Sequence, residues 1–126
     1  MVTELLGVYD AEGSLRGELR YLIGKWRGTA HCELCDITHG RLREKQEFRA
    51  LRERLPVPLT LVHLDERATD VATASEAAVP CVLARVDGKL HIVMEREALR
   101  ACGGDVHRFG ATLRDALDAR GLRFPT

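Results

Sequence analysis

The feature that most constrains this chain is Asp87-Gly88, which joins Val79-Pro80-Cys81-Val82-Leu83-Ala84-Arg85-Val86 to Lys89-Leu90-His91-Ile92-Val93-Met94. Two β-rich runs separated by Asp-Gly predict a hairpin with a two-residue turn, because both turn positions need a positive φ that Asp and Gly tolerate. Downstream, Asp105 stands as an N-cap before Val106, Phe109, Leu113 and Leu117 at helical spacing, which predicts a final amphipathic helix packed on that hairpin.

Upstream, Leu5-Leu6-Gly7-Val8-Tyr9 is a short apolar run ended by Asp10-Ala11-Glu12-Gly13, a buried strand followed by a turn. Leu15, Leu19, Leu22, Ile23 and Trp26 then recur at helical spacing, with Ser14 as N-cap and Gly28 near the end, so a helix is expected over 14–28. A competing reading makes residues 10–14 the tip of a β-hairpin. After Gly40, Phe48, Leu51 and Leu55 share a helical face, and Pro56 and Pro58 stop it. Leu59-Thr60-Leu61-Val62-His63-Leu64 is a strand pattern. Residues 65–78 form a polar, alanine-rich connection with a helix expected to start after Asp70. The order strand, helix, helix, strand, connection, hairpin, helix predicts an α/β fold. In it a parallel βαβ unit joins an antiparallel hairpin in one mixed central sheet, covered by the last helix. A length of 126 residues, 45% of them hydrophobic and 30% charged, suits a single domain over 1–126 with one core.

The run Ala78-Val79-Pro80-Cys81-Val82-Leu83-Ala84-Arg85-Val86-Asp87-Gly88-Lys89-Leu90, together with the element order, resembles the thioredoxin-like fold superfamily, in which a cis-proline opens a strand that turns at a glycine. Pro80 is the matching position. Val8-Tyr9-Asp10-Ala11-Glu12-Gly13-Ser14-Leu15-Arg16-Gly17-Glu18-Leu19 is similar to the start of the DCC-type thiol-disulfide oxidoreductase-like family. That family has two cysteines just after its Tyr-Asp pair, and Gly13 and Arg16 occupy those places here. The resemblance implies a single thioredoxin-like domain that lacks the usual redox pair and carries a Cys/His insert at about 29–40.

That insert, His31-Cys32-Glu33-Leu34-Cys35-Asp36-Ile37-Thr38-His39, is the most chemically loaded segment. The Cys32/Cys35 spacing lets two sulfurs face one point, which serves a shared metal or a disulfide across a tight turn. For metal, Cys32, Cys35 and His39 supply three ligands for zinc, with His31 as the fourth or, in its place, Asp36, His63 or His107. The role is then structural or regulatory. For redox work, Cys32 is the nucleophilic thiolate and Cys35 the resolving thiol, exchanging with a partner protein's thiols, and the chain is a thiol-disulfide oxidoreductase. Metal is favoured at this point, because the pair follows the expected first helix instead of opening it, and because two histidines flank it. A third class is a protein-interaction domain without chemistry, its thiols filling a buried turn.

The expected topology adds a groove. Asp10 at the end of the first strand, His63 and Asp65 at the end of the second, and Pro80 and Cys81 at the start of the third share one edge of the sheet, where a small ligand fits. The alternative makes His63 a structural residue and Cys81 plain core. Nineteen basic against 19 acidic side chains leave a net charge of +0 with neutral His, so no global field draws the chain to nucleic acid or an anionic membrane. Without an export signal or a run of eighteen apolar residues, a cytoplasmic, non-membrane location is expected. In that reducing setting, paired cysteines bind metal or exchange electrons more often than they staple a fold.

Overall fold

The computed structural model describes residues 1–10, 33–38 and 45–125. Strands β1 (Val2–Val8), β2 (Leu59–Val62), β3 (Cys81–Val86) and β4 (Lys89–Met94) form one mixed sheet in the order β2-β1-β3-β4. β1 runs parallel to β2, from Leu5 opposite Leu59 to Val8 opposite Val62, and antiparallel to β3, where Val8 faces Cys81. β3 and β4 are the expected hairpin, and Asp87 and Gly88 take φ values of 52° and 78° in its turn. The mixed sheet is therefore the one the pattern predicts. Its third strand begins at Cys81, and its second stops at Val62 because His63 caps a 3-10 turn over Leu64–Glu66.

Helices α1 (Glu33–Thr38), α2 (Gln46–Arg54), α3 (Thr69–Ser75), α4 (Arg96–Ala101) and α5 (Val106–Ala119) pack on the two faces. Alternation along the strands divides the core. Val2, Leu5, Val82 and Ala84 join Leu34, Ile37, Phe48, Leu51, Leu99, Phe109, Leu113 and Leu117 of α1, α2, α4 and α5 on one face. Leu6, Val8, Cys81 and Leu83 meet Val71 of α3 on the other. Strands buried on both sides read as continuous apolar runs, as β1 and β3 do. At Gly7 the missing side chain permits close approach, since a Cβ there would lie 2.8 Å from Leu61 Cδ2 and 3.2 Å from Leu34 Cδ2. Gly7 thus lets α1 sit directly on the sheet.

The expected helix over 14–28 lies outside the described residues. The insert at about 29–40, expected as a break between two helices, holds α1, whose Leu34, Ile37 and Thr38 are fully buried. α3 starts at Thr69, ahead of the expected position, because Asp70 works from the first turn, its Oδ1 accepting the Val71 N–H at 2.9 Å. α5 has the expected cap. Asp105 accepts from the backbone N–H groups of His107 (2.8 Å) and Arg108 (3.2 Å), and these hydrogen bonds hold its carboxyl below the usual aspartate range. No helix among the described residues is long and apolar enough to cross a membrane.

Candidate functional site

The carboxyl ends of β1 and β2 and the amino end of β3 meet at one edge of the sheet. Just past β1, the Tyr9 N–H continues the ladder to the Val62 carbonyl (2.9 Å), which turns the phenol inward. There its hydroxyl shares a buried 2.8 Å hydrogen bond with Thr38 Oγ1, the last residue of α1. This bond ties the strand end to the helix that holds Cys35. The Tyr9 ring also meets the His63 imidazole, with centroids 4.9 Å apart at 48°.

His63 is held from its other side. Its backbone N–H donates to Glu66 Oε1 at 2.8 Å, and its ring Nδ1 lies 2.6 Å from the same oxygen. The backbone hydrogen bond, followed by that of the ring, keeps the Glu66 carboxyl below the usual glutamate range. Asp10, the next residue along from Tyr9, receives Arg96 Nη2 on Oδ2 at 2.5 Å. The same nitrogen donates to the Val79 carbonyl at 3.2 Å, immediately before a cis Val79–Pro80 peptide. Arg96 therefore joins the end of β1, the turn into β3 and the start of α4, which packs against α1.

Of the groove residues named from sequence, Asp10 and Pro80 are thus brought to one edge through Arg96 and Val79, and His63 joins them through Tyr9. Cys81 is different. It is fully buried on the α3 side of the sheet, and burial pushes its thiol up to about 11, with Glu95 raising it further and Arg67 opposing. A thiol so protonated at neutral pH is core, not nucleophile. Burial likewise raises the Cys102 thiol, which donates to the Ala98 carbonyl at 3.3 Å. Iodoacetamide at mildly alkaline pH is accordingly expected to leave Cys81 and Cys102 unmodified in the folded chain and to label both in denaturant, as read by peptide mass mapping. Labelling of Cys81 at the rate of a free thiol would show that the start of β3 opens.

His31, Cys32 and His39 lie outside the described residues, while Cys35 is the third residue of α1. Among the described residues no three His, Cys, Asp or Glu side chains gather into a group able to hold a metal. Of the further ligands considered, His63 is engaged by Glu66, and His107 stands exposed in the first turn of α5. Sequence reasoning missed Arg96, Thr38 and Arg67. Arg96 meets Asp10 across 86 positions, a pairing that no local pattern announces. Tyr9 was legible only as the end of an apolar run. No family model matches the chain, and no curated protein or solved structure matches it either.

Proposed function

We propose that the chain is a thioredoxin-like thiol-disulfide oxidoreductase that works through Cys32 and Cys35. The observation that carries the reading is that Cys35 lies in α1, the helix whose Thr38 is bonded to Tyr9 at the edge of the sheet where Pro80 precedes β3. The argument for metal was that the pair trails an expected helix over 14–28, which lies outside the described residues. In this reading Cys32 and Cys35, three positions apart in sequence, have the spacing of a pair that closes one disulfide across a tight turn. The fold reading is supported by the strand order β2-β1-β3-β4 and by a cis-proline before β3, the place where thioredoxin-like proteins carry one. Two buried free thiols, Cys81 and Cys102, fit a reducing cytoplasm.

The chemistry balances as a two-electron exchange. The Cys32 thiolate attacks one sulfur of a substrate disulfide, forming a mixed disulfide and expelling the first substrate thiolate. Cys35, after losing its proton, attacks Cys32 Sγ and expels the second. The chain is left as the Cys32–Cys35 disulfide, and the substrate has gained two electrons and two protons; a dithiol reductant resets the pair. Pro80 and the Asp10–Arg96 pair shape the groove in which the substrate lies.

The zinc reading, through Cys32, Cys35, His39 and His31, draws on the two histidines that flank the pair, and one experiment separates the two. The untagged chain, purified without chelator, is analysed for metal and for thiols before and after exposure to excess oxidised glutathione. Of the four cysteines, two are expected to be lost reversibly, without stoichiometric metal. About one zinc per chain, released together with two thiols, would overturn the redox reading in favour of metal. Neither metal nor a reactive pair would leave a protein-interaction domain.

A further inference from the structure

α5 closes in a Schellman turn. Gly121 takes a φ of 67°, a left-handed conformation open to glycine without strain. Its N–H donates to the Asp118 carbonyl at 3.0 Å, and the Leu122 N–H donates to the Leu117 carbonyl at 2.9 Å. The chain then returns to the sheet, where the Arg123 carbonyl accepts the Val2 N–H of β1 at 2.7 Å. Between α5 and this returning segment lies an open cavity of about 350 Å³, lined by Arg114, Leu117, Asp118, Leu122, Arg123 and Phe124. Small-molecule sites run from about 300 to 1,000 Å³. One wall is a helix and the other is fixed by the turn and by the bond to β1, so the cavity is formed in advance.

Its lining is of two kinds. Leu117 is buried, and Leu122 and Phe124 pack half-buried against the main core. Arg114, Asp118 and Arg123 are exposed at the rim. Arg114 and Asp118 stand four positions apart on α5, a spacing that permits an ion pair. Neither side chain has a hydrogen-bond or ion-pair partner among the described residues, and the Arg123 guanidinium has none either. The partial negative charge at the end of α5 adds to that of Asp118 and favours a cation beside it. A simple carboxylate would be repelled by Asp118, and a simple amine by the two guanidinium groups. We infer that this cavity binds a small zwitterion with an apolar side chain, of the class of the aliphatic and aromatic α-amino acids. Arg114 and Arg123 take the carboxylate, Asp118 the ammonium, and Leu117, Leu122 and Phe124 the side chain. Nothing in this binding calls on the chemistry of Cys32 and Cys35.

The test is an NMR titration of the isotope-labelled full chain with phenylalanine, with hydrocinnamate, which lacks the ammonium, and with phenethylamine, which lacks the carboxylate. Leucine serves as a second amino acid. Phenylalanine is expected to shift the amides of Leu117, Leu122 and Phe124 and to bind about tenfold tighter than either truncated probe, the scale of one charge-assisted hydrogen bond at a partly exposed site. Asp118→Asn is expected to erase the advantage over hydrocinnamate and to keep most of that over phenethylamine. Arg114→Gln combined with Arg123→Gln is expected to do the reverse. All three side chains are exposed, and Arg123 meets Val2 through its backbone, so these variants should fold. Equal binding of the three probes, or tighter binding of hydrocinnamate than of phenylalanine, overturns the inference. So do amide shifts confined to other parts of the chain, and so does the lack of any shift with both amino acids.

Discussion

Cys32→Ser is expected to bring the reduction of small disulfides by this chain down to background, a loss on the order of a thousandfold, because the substitution removes the atom that forms the new bond. Cys35→Ser should behave differently. It leaves the first attack intact and removes only the resolving step, so the chain should stop as a mixed disulfide on Cys32, heavier by one half of the probe in an intact-mass spectrum. Neither substitution touches Leu34, Ile37 or Thr38, the buried residues that seat α1 on the sheet and on Tyr9, so both variants should remain folded. The asymmetry decides between chemistries. A zinc site loses a ligand in either variant, so metal content and stability should then fall alike in both, and no mixed disulfide should accumulate.

The fold was legible where its cause is local. Asp87-Gly88 specifies a turn that only certain residues can make, Asp105 meets the N–H groups two and three positions on, and Pro56 and Pro58 follow the end of α2. Strand order followed, because a parallel pair needs a crossover and a hairpin does not. α1 and α4 were not legible. α4 has six residues and buries a single apolar one, Leu99, so no stripe forms for a period to detect. The candidate site was legible as chemistry and not as geometry. Cys32, Cys35, Asp10, His63 and Pro80 are residue types with uses, but Arg96 and Thr38 become relevant only when tertiary packing carries them to β1. Tyr9 and Thr38 are 29 positions apart and Arg96 and Asp10 are 86 apart. Cys81 shows the converse: a reactive residue type becomes inert once alternation along β3 turns it into the α3-side core.

Phe109→Ala should have the largest effect on stability among single truncations, a loss of about 3–5 kcal/mol. Phe109 of α5 is 1% exposed and faces Phe48 of α2, fully buried, with ring centroids 6.1 Å apart at 51°. That tilted contact holds α2 to α5 together with Leu51, the other buried residue of α2, which packs over Gly110 of α5. A domain of this size has about 5–15 kcal/mol in all, so the variant should sit close to unfolding at room temperature. The loss should register as a lower urea midpoint with an unchanged slope, since the surface exposed on unfolding hardly changes. Adding Phe48→Ala should cost less than the sum of the two single changes, by about 0.5–1.5 kcal/mol, because the ring pair is lost only once. Strict additivity would place the two rings in separate environments and would leave Leu51 over Gly110 to join α2 to α5. α1 belongs to that same layer, so a weakened α5 should also loosen the seat of the helix that follows Cys32. Disulfide reduction by the folded Phe109→Ala chain, measured well below its midpoint, should therefore fall while the neutral-probe rate of dithiothreitol itself stays fixed.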